Sequence, residues 1–309
     1  MSEHINVGSK VPVLEQCRDI LINQIRAAVD QLGEHTGSTQ VHDARKALKQ
    51  ARATLRLMRP ALTGGQYRHM NAVLRDAAQP LSNVRDADVL ITSLQKILRK
   101  FGEPGRHVDI SNVERYLAQQ RGRAERGLTA KRVDTLRSPL RAAQAQTSNW
   151  RLRATNSSVV FDALRHSYSR VRKAHRIARK EASTESLHEW RKRTKYLWHQ
   201  VQLLAPPSSR EMHEYADAMH RLSDHLGDDH DLAVLRSSIF GSRKLLEKKS
   251  EDALKAFIDR RRAKLQSKAF ASAVGLLEES PKAWCRQLKR RVKHAARGAT
   301  KPARRTGRD

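Results

Sequence analysis

VHDARKALKQARATLRLMRP, residues 41–60, occurs twice in this chain, because LHEWRKRTKYLWHQVQLLAP at 187–206 repeats its plan at an offset of 146. His42 falls on His188, Arg45 on Arg191, Lys46 on Lys192, Lys49 on Lys195 and Pro60 on Pro206. Wound as a helix at about 100° per residue, His42, Arg45, Lys46, Lys49, Arg52 and Arg56 share an arc of about 120°. Ala44, Ala47, Ala51, Leu55 and Met58 take the opposite side. In the second copy His188, Arg191, Lys192, Lys195 and His199 gather on one side, with Trp190, Leu197, Val201 and Leu204 on the other. Trp198 and Gln202 stand where the first copy has Arg52 and Arg56, so the second stripe carries less charge.

A weaker match, one residue out of step, sets PLSNVRDADVL (80–90) beside HLGDDHDLAVL (225–235) and pairs Asp86 with Asp231. The chain reads as a duplication, with halves at 10–150 and 151–297. The tail 298–309, containing Lys301, Arg304, Arg305 and Arg308, is expected to be disordered. Ala, Leu, Arg, Lys, Gln and Glu dominate, and the apolar period is helical throughout, which predicts an all-α protein. Expected helices are 12–32, 39–59, 64–79, 84–101, 109–137 and 138–147, then 157–181, 184–204, 208–225, 229–247, 250–276 and 281–297. The breaks are placed at Gly33, Gly37, Pro60, Gly102, Pro104, Gly105, Ser138–Pro139, Pro206, Pro207, Gly227 and Pro281.

Lys and Arg number 61 against 32 Asp and Glu, a formal charge of +29 that predicts a strongly negative partner. Aromatic residues are 5% of the chain, few for a binder that stacks single-stranded bases, so phosphate is favoured over bases. Cys17 and Cys285 form neither a disulfide framework nor a zinc spacing, which suits a reducing cytoplasm, and Cys17 is expected to be a small buried hydrophobe. No signal-peptide pattern and no apolar run of roughly 20 residues is present, so a soluble protein is expected. There is no Walker loop, no nucleophile elbow and no Glu-x-Glu-x-Lys strand. The His- and Asp-rich stretch DHLGDDHD (224–231) suggests a metal-dependent phosphohydrolase, but Arg85 replaces His230 in the other copy, which argues against it.

Like charges three and four apart each cost a helix roughly 0.2–0.5 kcal/mol. The stripes hold Asp43 and Glu189 as their acids, so the charge is left for a ligand to neutralise. With their following Asp-bearing segments, the two stripes resemble the signature helices of the CHAD domain, a conserved histidine α-helical module, over roughly residues 10–297. The resemblance implies two four-helix-bundle-like halves related by a pseudo-twofold axis around a central basic cavity, with inorganic polyphosphate as ligand. The contacts it implies are His42, Arg45, Lys46, Lys49, Arg52, Arg56, His188, Arg191, Lys192 and Lys195. Arg26 and Arg172, matched at the same offset on the preceding helices, are added as candidate wall residues. His42 and His188 are expected to gain charge, and so affinity, as pH falls. Asp86 and Asp231 are expected to cap helices or to fix an arginine. Neither catalysis, metal nor cofactor is expected, nucleic acid is expected to bind at most non-specifically, and attachment to polyphosphate granules would follow from the ligand.

Overall fold

The computed structural model describes residues 4–33, 36–101, 109–153, 156–207, 209–241 and 245–299. Those residues form ten α-helices and no strand: α1 Val13–Gln31, α2 Ser38–Met58, α3 Gly64–Phe101, α4 Ser111–Arg126, α5 Ala130–Ser148, α6 Ser157–Glu181, α7 Thr184–Leu204, α8 Arg210–Ile239, α9 Lys248–Ala273 and α10 Pro281–Ala299. The predicted breaks at Gly102, Pro104 and Gly105 and the tail residues 300–309 lie outside the described residues. Helix α10 continues through Ala299, two residues into the segment assigned to the tail.

Three predicted breaks are absent. The gap expected between 79 and 84 is closed: Pro80 lies inside the 38-residue α3, because Leu74, Ala77, Leu81, Val84 and Ala87 carry one buried face straight past it. Continuous packing there outweighs the hydrogen bond that the proline removes. Pro139 likewise lies inside α5, between buried Leu136 and Leu140, and the chain breaks instead at Gly127–Thr129, where the Thr129 hydroxyl caps α5. Gly227 lies within the 30-residue α8. A Cβ at that position would stand 3.6 Å from Nε of Arg191, so the missing side chain makes room for a guanidinium and does not end the helix.

The predicted apolar faces are the buried ones. Ala44, Ala51, Leu55 and Met58 of α2 and Trp190, Leu197, Val201 and Leu204 of α7 are wholly buried, with Ala47 nearly so. The small alanines let α1 pack closely on α2. Cys17 of α1 is buried within the same core, where burial lifts its thiol to about 12.

Two cores result. The larger joins α1, α2, the first half of α3, α5, α6, α7, the first half of α8, the end of α9 and α10, and so includes helices from both sides of the α5–α6 connection. The smaller joins Leu90, Leu94 and Ile97 of α3, Val113 and Leu117 of α4, Leu232 and Leu235 of α8, and Leu254 and Ile258 of α9. Helices α3, α8 and α9 therefore each pass from one core to the other.

The start of each basic helix is tied to that smaller core through a buried aspartate. Ser38 at the start of α2 donates to Asp88, which also pairs with Arg121 of α4 at 3.1 Å. Thr184 at the start of α7 lies against Arg262 of α9, which pairs with Asp229 at 3.0 Å. Ser38 and Thr184 are 146 residues apart, the offset at which the two basic helices match. The two helices meet further along, where the Gln200 amide of α7 donates to the Ala53 carbonyl of α2 at 3.1 Å.

Candidate anion-binding site

Where α2 and α7 approach, the matched cations are brought together. Burial, and after it the charges of Arg45, Lys195 and Arg191, push the Lys49 ammonium down to about 7. Lys195 is lowered by burial and by Arg191 and Lys46, with Asp224 and Asp231 opposing. Arg45 is lowered by burial, despite an ion pair to Asp86 at 3.3 Å, and its guanidinium also donates to the Ser82 carbonyl at 3.3 Å. Arg191 packs beside Gly227 with its buried Nε lacking a hydrogen-bond partner. Lys46 and Lys192 are exposed at the rim, Lys192 pairing with Glu189.

The following helices supply matched residues to this cluster. Arg45 meets Ser82 and Asp86 of α3; Arg191 meets Gly227 of α8, and its charge opposes the rise that burial gives Asp231. Ser82 and Gly227, like Asp86 and Asp231, are partners in the shifted alignment. Both aspartates sit in mid-helix and cap nothing, and the expected arginine partner is seen at Asp86, which pairs with Arg45. Small residues at 82 and 227 let each arginine lie close to helix backbone.

The histidines follow the same plan. His42 is exposed and lies near Arg85, which together with burial lowers its affinity for a proton. His188 stands with Nδ1 3.2 Å from Nδ1 of His230. Burial and Arg191 lower both, His230 to about 4, so near neutrality one imidazole donates and the other accepts. His199, buried below Lys195 and Lys49, is driven down to about 3 by burial and then by those two charges. Among the described residues no group of three or more His, Cys, Asp or Glu side chains is placed to hold a metal.

The remaining predicted residues go elsewhere. Arg56 stacks on the Tyr196 ring with its guanidinium carbon 3.8 Å from the centroid, and Arg52 lies 6.0 Å from the same ring. Trp198, at the position matching Arg52, packs on His199 and His220 and under the Lys195 ammonium. Arg26 is exposed on α1. Arg172 donates to the carbonyls of Leu277 and Glu278, 2.8 and 3.3 Å away, and so fastens the turn after α9. A cavity of about 440 Å³ opens beside the C-terminal end of α2, lined by Arg56, Arg59, Tyr67, Arg165, His166, Arg170, Arg193 and Tyr196. Of these, Arg56 alone belongs to the predicted site. The rest escape a search for matched positions, because Arg193 and Tyr196 face Ala47 and Gln50 in the other copy.

These features define a class: all-helical proteins in which two related basic helices meet, each answered by an Asp-bearing helix that follows it. The chain belongs to the CHAD domain family, whose family profile matches residues 19–239. Its fold is similar to that in the crystal structure of the CHAD domain from the plant Ricinus communis, at a TM-score of 0.57 and 16% identity, covering 90% of this chain and 94% of that one. A search of curated protein sequences finds no match. No described helix is long and apolar enough to cross a membrane.

Proposed function

We propose that the protein binds inorganic polyphosphate without chemically altering it, holding the chain along the meeting faces of α2 and α7. The observation that carries this reading is the meeting of α2 and α7, which crowds Lys49 with Arg45, Lys195 and Arg191. Such a cluster is electrostatically unfavourable when empty, and a polyanion laid across it would relieve the repulsion. Arg45 and Arg191, held by Ser82, Asp86 and Gly227, would grip phosphoryl oxygens in bidentate fashion, while Lys46, Lys49, Lys192 and Lys195 act as point charges. His42 and His188 would donate hydrogen bonds as neutral rings. The choice of polyphosphate over other polyanions rests on the family resemblance together with the scarcity of aromatic residues, 5% of the chain. Residence in the cytoplasm and attachment to polyphosphate granules are part of the same proposal.

The test is calorimetric titration with polyphosphates of defined length at two salt concentrations. Six cations in contact predict a log-affinity against log-salt slope of about 4, by analogy with single-stranded nucleic acid at about 0.7 per phosphate. Duplex DNA that displaces polyphosphate equally well per phosphate group would replace this reading with nucleic-acid binding. Phosphate release with added Mg²⁺, Mn²⁺ or Zn²⁺, lost in His230→Ala and kept in Lys49→Ala, would replace it with a hydrolase using the His188–His230 pair.

A further inference from the structure

The cavity beside the C-terminal end of α2 is a different object from the cluster at Lys49. Five arginines line it, Arg56, Arg59, Arg165, Arg170 and Arg193, together with His166. At the offset of 146 their counterparts are Gln202, Ala205, Asp19, Gln24 and Ala47, with Ile20 for the histidine. The basic ring therefore exists on one side of the molecule and is no part of the duplicated plan.

Its charge is incompletely answered from within. Asp162 pairs with Arg165 at 3.2 Å, and Glu189 pairs with Arg193. Arg56 and Arg59 lie over the rings of Tyr196 and Tyr67 and have no ion pair, and Arg170 has none either among the described residues. Burial and the neighbouring Arg193 and Arg59 make Arg170 hold its proton less firmly than usual, the mark of cations crowded together. Asp162 and a Glu189 shared with Lys192 are set against five arginines, which leaves a surplus of at least three positive charges. The rest of the wall is mostly apolar: Pro60, Ala163 and the faces of Tyr67 and Tyr196 line it beside Ser167.

We infer that this cavity is a binding site for an organic diphosphate, separate from the polyphosphate-binding face. A diphosphate group carries about three negative charges near neutral pH, which this surplus can neutralise, and the arginine forks lining the cavity suit its oxygens. A bare diphosphate leaves much of the 440 Å³ empty. A ring attached to it would lie over Pro60 and Ala163, against the two tyrosines. Arg56 and Tyr196 come from α2 and α7 respectively, so the occupant would brace the same two helices whose other turns form the cluster. This inference stands on the cavity alone and does not need polyphosphate to be the ligand of that cluster.

The experiment is titration of the full chain, free of polyphosphate, with ADP, AMP and pyrophosphate at fixed ionic strength. One ADP is expected per chain, with AMP and pyrophosphate each at least about tenfold weaker, since each lacks either one charged group or the ring. The double variant Arg165→Gln, Arg170→Gln should weaken ADP at least about tenfold while its circular dichroism and its affinity for long polyphosphate stay as in the parent. A Lys49→Ala, Lys195→Ala variant should bind ADP as the parent does. Loss of ADP binding in the lysine variant but not in the arginine variant would assign the nucleotide to the polyphosphate face and overturn the inference. Pyrophosphate binding as tightly as ADP would remove the organic part, and an RNA oligonucleotide displacing ADP equally well per phosphate would make the cavity a nucleic-acid groove.

Discussion

Helices α2 and α7 carry matching sequences over their first three turns and differ in their last. Arg45, Lys46 and Lys49 are answered residue for residue by Arg191, Lys192 and Lys195. Beyond them, α2 keeps Arg52 and Arg56, whereas α7 has Trp198 and Gln202. The matched part forms one crowded cluster; the unmatched part sends two arginines to Tyr196 and lets Trp198 cover Lys195. A duplicated helix can thus hold a shared site at one end and a one-sided feature at the other, a division set by which positions remain paired.

The most damaging way to break the comparison is to remove the paired lysines. Lys46→Ala with Lys49→Ala, and Lys192→Ala with Lys195→Ala, should each weaken polyphosphate binding by about a hundredfold, at roughly 1.5 kcal/mol per charged contact. Similar losses in the two variants would establish that the halves contribute alike, and unchanged affinity in either would remove that half from the site. Arg52→Ala with Arg56→Ala should cost only about threefold, as expected for distal charges.

Stability sharpens the same point. Lys49 has a folded-state pKa of about 7 against 10.5 for an unperturbed lysine, so the folded chain binds fewer protons between those limits. The ligand-free protein should therefore gain stability as pH rises from 7 to 10.5, with the cost of the buried charge fully present below 7. Lys49→Met, which keeps the volume and removes the charge, should stabilise the empty protein at neutral pH by about 2 kcal/mol in urea unfolding while weakening polyphosphate binding.

A smaller effect concerns pH and affinity. A bound polyanion favours the charged ammonium, so complex formation should take up a proton near Lys49 and lose about tenfold in affinity between about pH 6.5 and 8.5. The sequence alone points to His42 and His188 for such dependence. Both imidazoles are lowered, chiefly by burial, so their charge would enter only at more acidic pH. Lys49→Arg should flatten the profile above neutrality, and a slope that persists in that variant would point away from Lys49.

The finest test is at Gly227. Alanine there meets Arg191 at an ordinary contact distance of 3.6 Å and should add about 0.5–1 kcal/mol of stability without changing affinity. Gly227→Leu should displace the guanidinium and weaken binding.

The faces of α2 and α7 are legible because burial and charge both follow the helical period, and Ala44, Ala51, Trp190 and Leu197 are wholly buried as their spacing requires. Pro80, Pro139 and Gly227 mislead because a local breaker says nothing of the buried face that continues through it. The convergence of Arg45, Lys49, Arg191 and Lys195 is foreshadowed by the repeat, since matched positions on related helices mark what both copies kept. Arg172 looks equivalent by the same rule, yet its partners, the carbonyls after α9, are main-chain atoms that no residue pattern announces. The cavity arginines are hidden for the opposite reason, because Arg165, Arg170 and Arg193 have no basic twin.

The buried aspartates beneath the two helix starts have a mechanical meaning. Ser38 hangs from Asp88 and Arg121, and Thr184 from Arg262 and Asp229, so each basic helix is moored at its first residue to the smaller core. At its far end each is embedded in the larger core. The repelling turns between are thus a span held at both piers, and the mutual push of their charges is borne by the anchors instead of spreading the helices. Amide protons around Ser38 and Thr184 should accordingly exchange with the slow pace of the smaller core, and cutting one mooring would let that helix swing while its charges stayed in place.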